Sequence, residues 1–153
     1  MLNKCFICLE IENIKQSKNP YFVTELKTGY VVLGHNQYYK GYSLFFSKIH
    51  AEELHQLDHE LKKQFLLDMT LLAEAIYKSF KPKKLNYELL GNTESHLHWH
   101  IIPRYKKDIL PKIPVWNNPE FLKNKKRPSE AELRSLKKNL LKSFDQVLKR
   151  KRL

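Results

Sequence analysis

With 153 residues, 42% hydrophobic and 12% aromatic, the chain is long enough to bury a full core and too apolar for wholesale disorder. Its formal charge of +12 favours polyanionic partners: nucleotides, nucleic acid or an acidic membrane surface. Glu10, Glu12 and Lys15 interrupt the N-terminal stretch after Met1-Leu2-Asn3-Lys4, so neither a signal-peptide core nor a membrane span is expected, and the expected location is cytoplasmic.

Cys5-Phe6-Ile7-Cys8 comes first along the chain. In a reducing compartment such a pair is a metal site or two spare thiols rather than a disulfide, and no βαβ pattern comes after it that would suit a redox motif. Short aromatic and β-branched runs at 21–26, 30–33 and 42–46, separated by Thr28-Gly29 and by the 34–41 loop, predict three strands of an antiparallel meander. From Glu52 onward, Leu54, Leu57, Leu61, Phe65, Met69, Leu72, Ile76 and Phe80 recur at three- and four-residue steps, which predicts one long amphipathic helix stopped before Pro82. His55 and His59 then fall one helical turn apart and read as solvated helix residues; His35 has no partner pattern.

Two more strands are predicted at 85–90 and 96–102, the second closed by Pro103. Pro128, Ser129 and Glu132 make a capping box before a helix carrying Leu136, Leu140, Phe144 and Leu148. This order describes an α+β fold with its helices on one face of the sheet. Neither an internal repeat nor a second hydrophobic core is visible, so residues 1–153 are expected to form one domain.

The run His96-Leu97-His98-Trp99-His100 is the most informative segment. On a strand, side chains alternate between faces, so the three imidazoles share one face while Leu97, Trp99 and Ile101 point into the core. Neutral imidazole serves as nucleophile, proton donor or metal ligand near pH 7.

Gly91 to Arg104, through His-x-His-x-His with apolar residues between, resembles the histidine triad (HIT) family of nucleotide hydrolases and transferases. Asn36 to Leu44 resembles that family's ribose-binding turn and strand, Ser47-Lys48-Ile49-His50 its lysine-histidine element, and Cys5-x-x-Cys8 the cysteine pair of its zinc-containing bacterial members. The matches run from about 5 to 105; the basic extension from about 106 to 153 offers only Pro114-Val115-Trp116 and carries no catalytic role. The resemblance implies a five-stranded antiparallel sheet with one long central helix and a C-terminal helix, and a two-fold homodimer. It makes His98 the nucleophile on an α-phosphorus, with its other ring nitrogen donating to a backbone carbonyl, and His100 the residue that contacts the phosphate and helps the leaving group depart. Histidine at position 100, where transferase members carry glutamine, favours hydrolysis. Asn92 and Thr93 stand where the family has Gln-Ser or Gln-Thr for the scissile phosphate, with Asn one methylene shorter than Gln. Gly91 permits close backbone approach or simply ends a strand, and Asn36 binds ribose or makes a turn. Cys5, Cys8, His50 and His96 make a Cys₂His₂ quartet suited to structural zinc, although the two histidines could instead hydrogen-bond without metal.

Three functions are compatible with this pattern. One is hydrolysis of a dinucleoside polyphosphate such as diadenosine tetraphosphate; another is a nucleoside phosphoramidase using the same His98 intermediate. The third is a nucleic-acid-associated protein, binding through Lys123, Lys125, Lys126, Arg127, Lys137, Lys138 and Lys149 to Arg152, or removing a 5′-adenylate; the alternative for these charges is a solvated basic helix.

Overall fold

The computed structural model describes residues 5–150. The N-terminal Met1-Leu2-Asn3-Lys4 and the tail residues Lys151 and Arg152 lie outside them. The elements that position the site are helix α1 (Phe6–Lys15), strands β1 (Phe22–Glu25), β2 (Gly29–Leu33) and β3 (Ser43–Ser47), helix α2 (His59–Phe80), strands β4 (Lys84–Glu88) and β5 (His98–Arg104), a short helix α3 (Pro119–Lys123), and helix α4 (Glu130–Arg150). The five strands form one antiparallel sheet in the order β1-β2-β3-β5-β4, as expected of the α+β fold.

Strand alternation sorts the sheet's two faces. Val31, Leu33, Phe45, Leu97 and Ile101 enter the main core with Phe65, Leu72 and Ile76 of α2 and Leu136, Leu140 and Phe144 of α4. Tyr30, Val32 and Phe46 point the other way and meet Ile7, Ile11 and Ile14 of α1. Helices therefore cover both faces, which corrects the one-face expectation. The i, i+4, i+7 isoleucines were the available signal for α1, but Glu10 and Glu12 among them and Lys15 after them hid an amphipathic helix inside what reads as a linker. Because both faces are covered, all five residues of β2 are buried.

Other boundaries shift for local reasons. The long helix begins at His59, not Glu52, because Asp58 caps it by accepting from the Leu61 amide, 2.9 Å away. Leu57 is extended, and Leu54–Gln56 forms a separate 3₁₀ turn, so His55 and His59 do not share a helix. At the far end Lys81 takes the left-handed conformation, φ 49°, before Pro82. β5 starts at His98 and runs on through Pro103, opposite Leu85, to Arg104. His96 and Leu97 precede the strand but stay aligned with it, since the Leu97 amide donates to Ala51 O (2.7 Å) and the Ser47 amide to Leu97 O (3.0 Å). The Ser129–Glu132 capping box of α4 is present, with both reciprocal bonds formed. Val147, rather than Leu148, completes the buried stripe of α4.

Arg104 governs the path of the chain beyond β5. Its buried guanidinium pairs with Asp108 (3.0 Å), donates to Asn86 Oδ1 and to the Leu110 and Ile113 carbonyls, and lies over the Tyr39 ring. With five donors in a fixed fork, one side chain folds the 105–114 loop back toward the sheet. That return delivers Trp116 and Phe121 to the α1 face.

Candidate functional site

The α1 face holds a cavity of about 400 Å³, within the range of small-ligand sites. Its wall includes His98, Phe46 and Leu44 from the sheet, Ile7 and Glu10 from α1, and Trp116, Phe121, Lys125 and Arg127 from the C-terminal third. The basic extension, given no catalytic role from sequence, thus supplies a side of the site; only Pro114-Val115-Trp116 hinted at it, and no periodicity could.

His98 and His100 lie on this face, opposite Phe46 and Leu44 of β3, while Trp99 and Ile101 face the core. The alternation read from the triad is therefore the observed geometry. His98 Nδ1 is 2.6 Å from the His96 carbonyl. A carbonyl only accepts, so Nδ1 carries a proton, and in the neutral ring Nε2 holds the lone pair. The His100 ring lies edge-on to His98, centroids 4.8 Å apart, and its Nδ1 is 2.7 Å from the Tyr42 hydroxyl. Burial, reinforced by His98, pulls the His100 imidazolium down to about 4, so the ring is neutral at pH 7. Burial also raises the Tyr42 phenol, with Glu88 adding to the effect, so it stays protonated and is able to donate to His100 Nδ1, the arrangement that puts the imidazole proton on the outer nitrogen, Nε2. Trp116 packs edge-on against His100 and donates its Nε1–H to Glu88, fixing the indole over the site.

Beside these residues lies the quartet. Cys5, Cys8, His50 and His96 bring their four ligand atoms within 4.8 Å of one another. His50 Nδ1 and His96 Nδ1 are 3.2 Å apart, and three of the four sulfur-nitrogen separations, Cys5 to His96 and Cys8 to both histidines, are 3.4 to 3.6 Å. Zinc bonds of about 2.0 Å to nitrogen and 2.3 Å to sulfur in a tetrahedron require edges of about 3.3 Å and 3.5 Å. The set fits. His96 Nε2 donates to Ser47 O at 2.8 Å, which leaves its Nδ1 without a proton and directed at the quartet, the outer-sphere arrangement that metal-bound imidazole adopts. His96 thus belongs to the Cys/His cluster, while His98 lines the cavity and His100 packs beside it against His98 and Trp116.

The remaining expected residues are placed less simply. Asn36 lines the cavity, but its Oδ1 accepts from the Tyr38 and Lys126 amides (3.1 and 3.0 Å) and its Nδ2 donates to Phe121 O (3.0 Å). One amide proton is left for a ligand. Gly91 has φ +70°, a left-handed turn conformation, and a Cβ there would meet nothing nearer than Glu94 O at 3.9 Å. Its backbone angle, not a close approach within the chain, calls for glycine. Asn92 and Thr93 are exposed in the loop between β4 and β5, outside the cavity wall; Glu94, further along the same loop, lines it and accepts from the Phe6 amide.

A family model for the HIT domain matches residues 16–107. The chain belongs to the HIT family. It is 38% identical over 77 residues to the protein called "Protein hit" of Bacillus subtilis, a stretch that spans 47% of this chain and 53% of that relative. Among solved structures it resembles a histidine triad nucleotide-binding protein from Sulfolobus tokodaii, with TM-score 0.71, 22% identity and coverage of 94% of this chain and 93% of the other. It also resembles a zinc-bound histidine triad protein from Mycobacterium smegmatis, with TM-score 0.67, 17% identity and coverage of 94% and 95%. Both structural likenesses concern the fold. The chain carries a Cys/His cluster able to hold zinc, and among its described residues no helix is long and apolar enough to cross a membrane.

Proposed function

We propose that this HIT protein hydrolyses a dinucleoside polyphosphate of the diadenosine tetraphosphate type at its α-phosphorus. One observation carries the reading: His98 is fixed through Nδ1 to a carbonyl, so that the neutral ring presents the lone pair of Nε2 in a nucleoside-sized cavity. Phosphoanhydrides are shielded by their own negative charge, and a neutral, oriented nucleophile avoids that repulsion.

Nε2 of His98 attacks the α-phosphorus, a P–N bond forms and the bridging P–O bond breaks. The departing phosphate oxygen receives hydrogen-bond support from His100 Nε2–H, whose orientation rests on Tyr42. Water then attacks the phosphorus from the same pocket, the P–N bond breaks, and the nucleoside monophosphate leaves with His98 neutral again. In this reading Asn36 gives its remaining amide proton to ribose, and the loop of Gly91, Asn92 and Thr93 reaches the phosphates on binding. Cys5, Cys8, His50 and His96 would hold zinc, whose contribution is to tie the start of α1 to the residues ahead of β5 and not to enter the reaction. A two-fold dimer through the edge strand β4, which has β5 on one side only and exposes Tyr87, completes the assembly.

The test is nucleotide release from diadenosine and diguanosine tetraphosphate by wild type and His98→Ala, with acid quenching to trap the nucleotidyl-protein and a fluorogenic nucleoside phosphoramidate alongside. A trapped adduct in the wild type and none in the mutant is expected. Faster turnover of the phosphoramidate would move the assignment to a P–N bond. No turnover of any compound, together with salt-sensitive oligonucleotide binding that is lost on truncation after Lys123, would replace hydrolysis with nucleic-acid binding.

A further inference from the structure

On the β1 side of the cavity the chemistry changes from apolar to charged. Two strands, β3 and β2, separate His98 on β5 from this side, which at about 4.8 Å per strand puts it roughly 10–14 Å from the nucleophile. That distance suits the span of a nucleotide from α-phosphorus to the outer edge of its base. Here Glu10 is held in place from two sides: Asn19 Nδ2 donates to one carboxylate oxygen at 2.7 Å and Asn13 Nδ2 approaches the other at 3.4 Å. Asn19 is itself fixed, accepting from the Tyr21 amide at 2.8 Å. A carboxylate has about four acceptor sites, so two remain. The rings of Tyr21 and His35 lie 4.2 Å apart beside it and form an aromatic wall. Arg127, from the segment between α3 and α4, also lines the cavity. Glu10 and Arg127 act on the His35 imidazole in opposite senses, so both charges stand near it.

Base chemistry then discriminates. Guanine offers two adjacent donors, N1–H and the 2-amino group, which a carboxylate accepts together; adenine offers one amino donor beside a ring lone pair that a carboxylate repels. Guanine's adjoining edge carries O6 and N7, the pair that a guanidinium reads in bidentate fashion. We infer that Glu10 and Arg127 make this cavity selective for guanine nucleotides. The inference rests on the cavity being the nucleotide site proposed above, and it names the base that site takes.

Equilibrium binding of GMP and AMP to the full chain tests it, with turnover of diguanosine and diadenosine tetraphosphate measured in parallel. Wild type is expected to bind GMP about ten- to a hundredfold tighter than AMP, the discrimination one good bidentate pair supplies. Glu10→Gln should weaken GMP at least about tenfold more than AMP, because the second acceptor becomes a donor. Arg127→Met, an exposed position that does not endanger the fold, should weaken GMP more than AMP as well. Equal affinities, tighter AMP, or a Glu10→Gln variant that loses both alike would overturn the inference and leave Glu10 as a brace for Asn13 and Asn19. Hydrolysis without base preference would sink the guanine assignment alone. GMP selectivity without any hydrolysis would keep it and sink the hydrolase reading.

Discussion

The Tyr42 hydroxyl sits 2.7 Å from His100 Nδ1, and the two rings lie nearly parallel, 21° between planes. Tyr42 immediately precedes β3 and His100 lies on the neighbouring β5, so the contact bridges two adjacent strands and turns Nε2 of His100 away from the phenol. Without the phenol, either nitrogen of the neutral ring can hold the proton. Tyr42→Phe is therefore expected to lower kcat about ten- to a hundredfold, with KM changed little, as for loss of a group that orients a proton donor. Stability should fall by only about 1 kcal/mol, since one neutral hydrogen bond is lost. A kcat unchanged from wild type, measured on the substrate that wild type prefers, would show that His100 needs no such orientation.

His100 also makes stability depend on pH. Its imidazolium is pulled from the ordinary 6.5 to about 4 in the folded protein. Between those values the unfolded chain holds more protons than the native one, so stability increases with pH and is lost as pH falls from about 6.5 to about 4. The shift corresponds to an upper bound of about 3 kcal/mol, reduced to about 2 kcal/mol by the ring's partial exposure. Urea unfolding of wild type and His100→Gln at pH 7 and pH 4.5 isolates this contribution, because loss of a bound metal in acid affects both proteins alike. Wild type should lose about 2 kcal/mol more than the variant. Parallel losses would mean that His100 titrates normally.

How far these features could be read from the sequence depended on whether chemistry and periodicity coincided. At His98 and His100 they did: the alternation with Trp99 and Ile101 named both the strand and its functional face. The zinc quartet was legible through spacing at Cys5 and Cys8 and through likeness at His50 and His96, although the fold shows that His96 lies ahead of β5 and not in it. Helix α1 was not legible, because a ten-residue helix with three charged residues imitates a linker until Tyr30, Val32 and Phe46 expose the face it covers. Lys125 and Arg127 were visible only as charge. Their place in the cavity depends on Arg104 folding the chain back and on Asn36 accepting the Lys126 amide, neither of which has a local signature.

Zinc should be structural and should act on substrate binding through α1. The helix carries Cys8 in its first turn, and the same helix presents Ile7 and Glu10 to the cavity. Protein purified without chelator is expected to hold about one zinc per chain by elemental analysis, falling to near zero in Cys8→Ser, whose hydroxyl is a poor substitute for thiolate. The sheet, α2 and α4 bury their own core, so metal removal should undock α1 without unfolding the chain. A loss on the order of 3 kcal/mol, or about 10 °C in Tm, is the expected size. KM should rise while kcat falls little, because His98 keeps its bond to the His96 carbonyl and Glu10 loses its fixed place. Wild-type protein that binds no zinc, or a Cys8→Ser variant with unchanged Tm and KM, would return the quartet to a metal-free cluster of thiols and imidazoles. Loss of kcat with KM unchanged would instead place the metal's influence on the nucleophile, through His96, rather than on the nucleoside pocket.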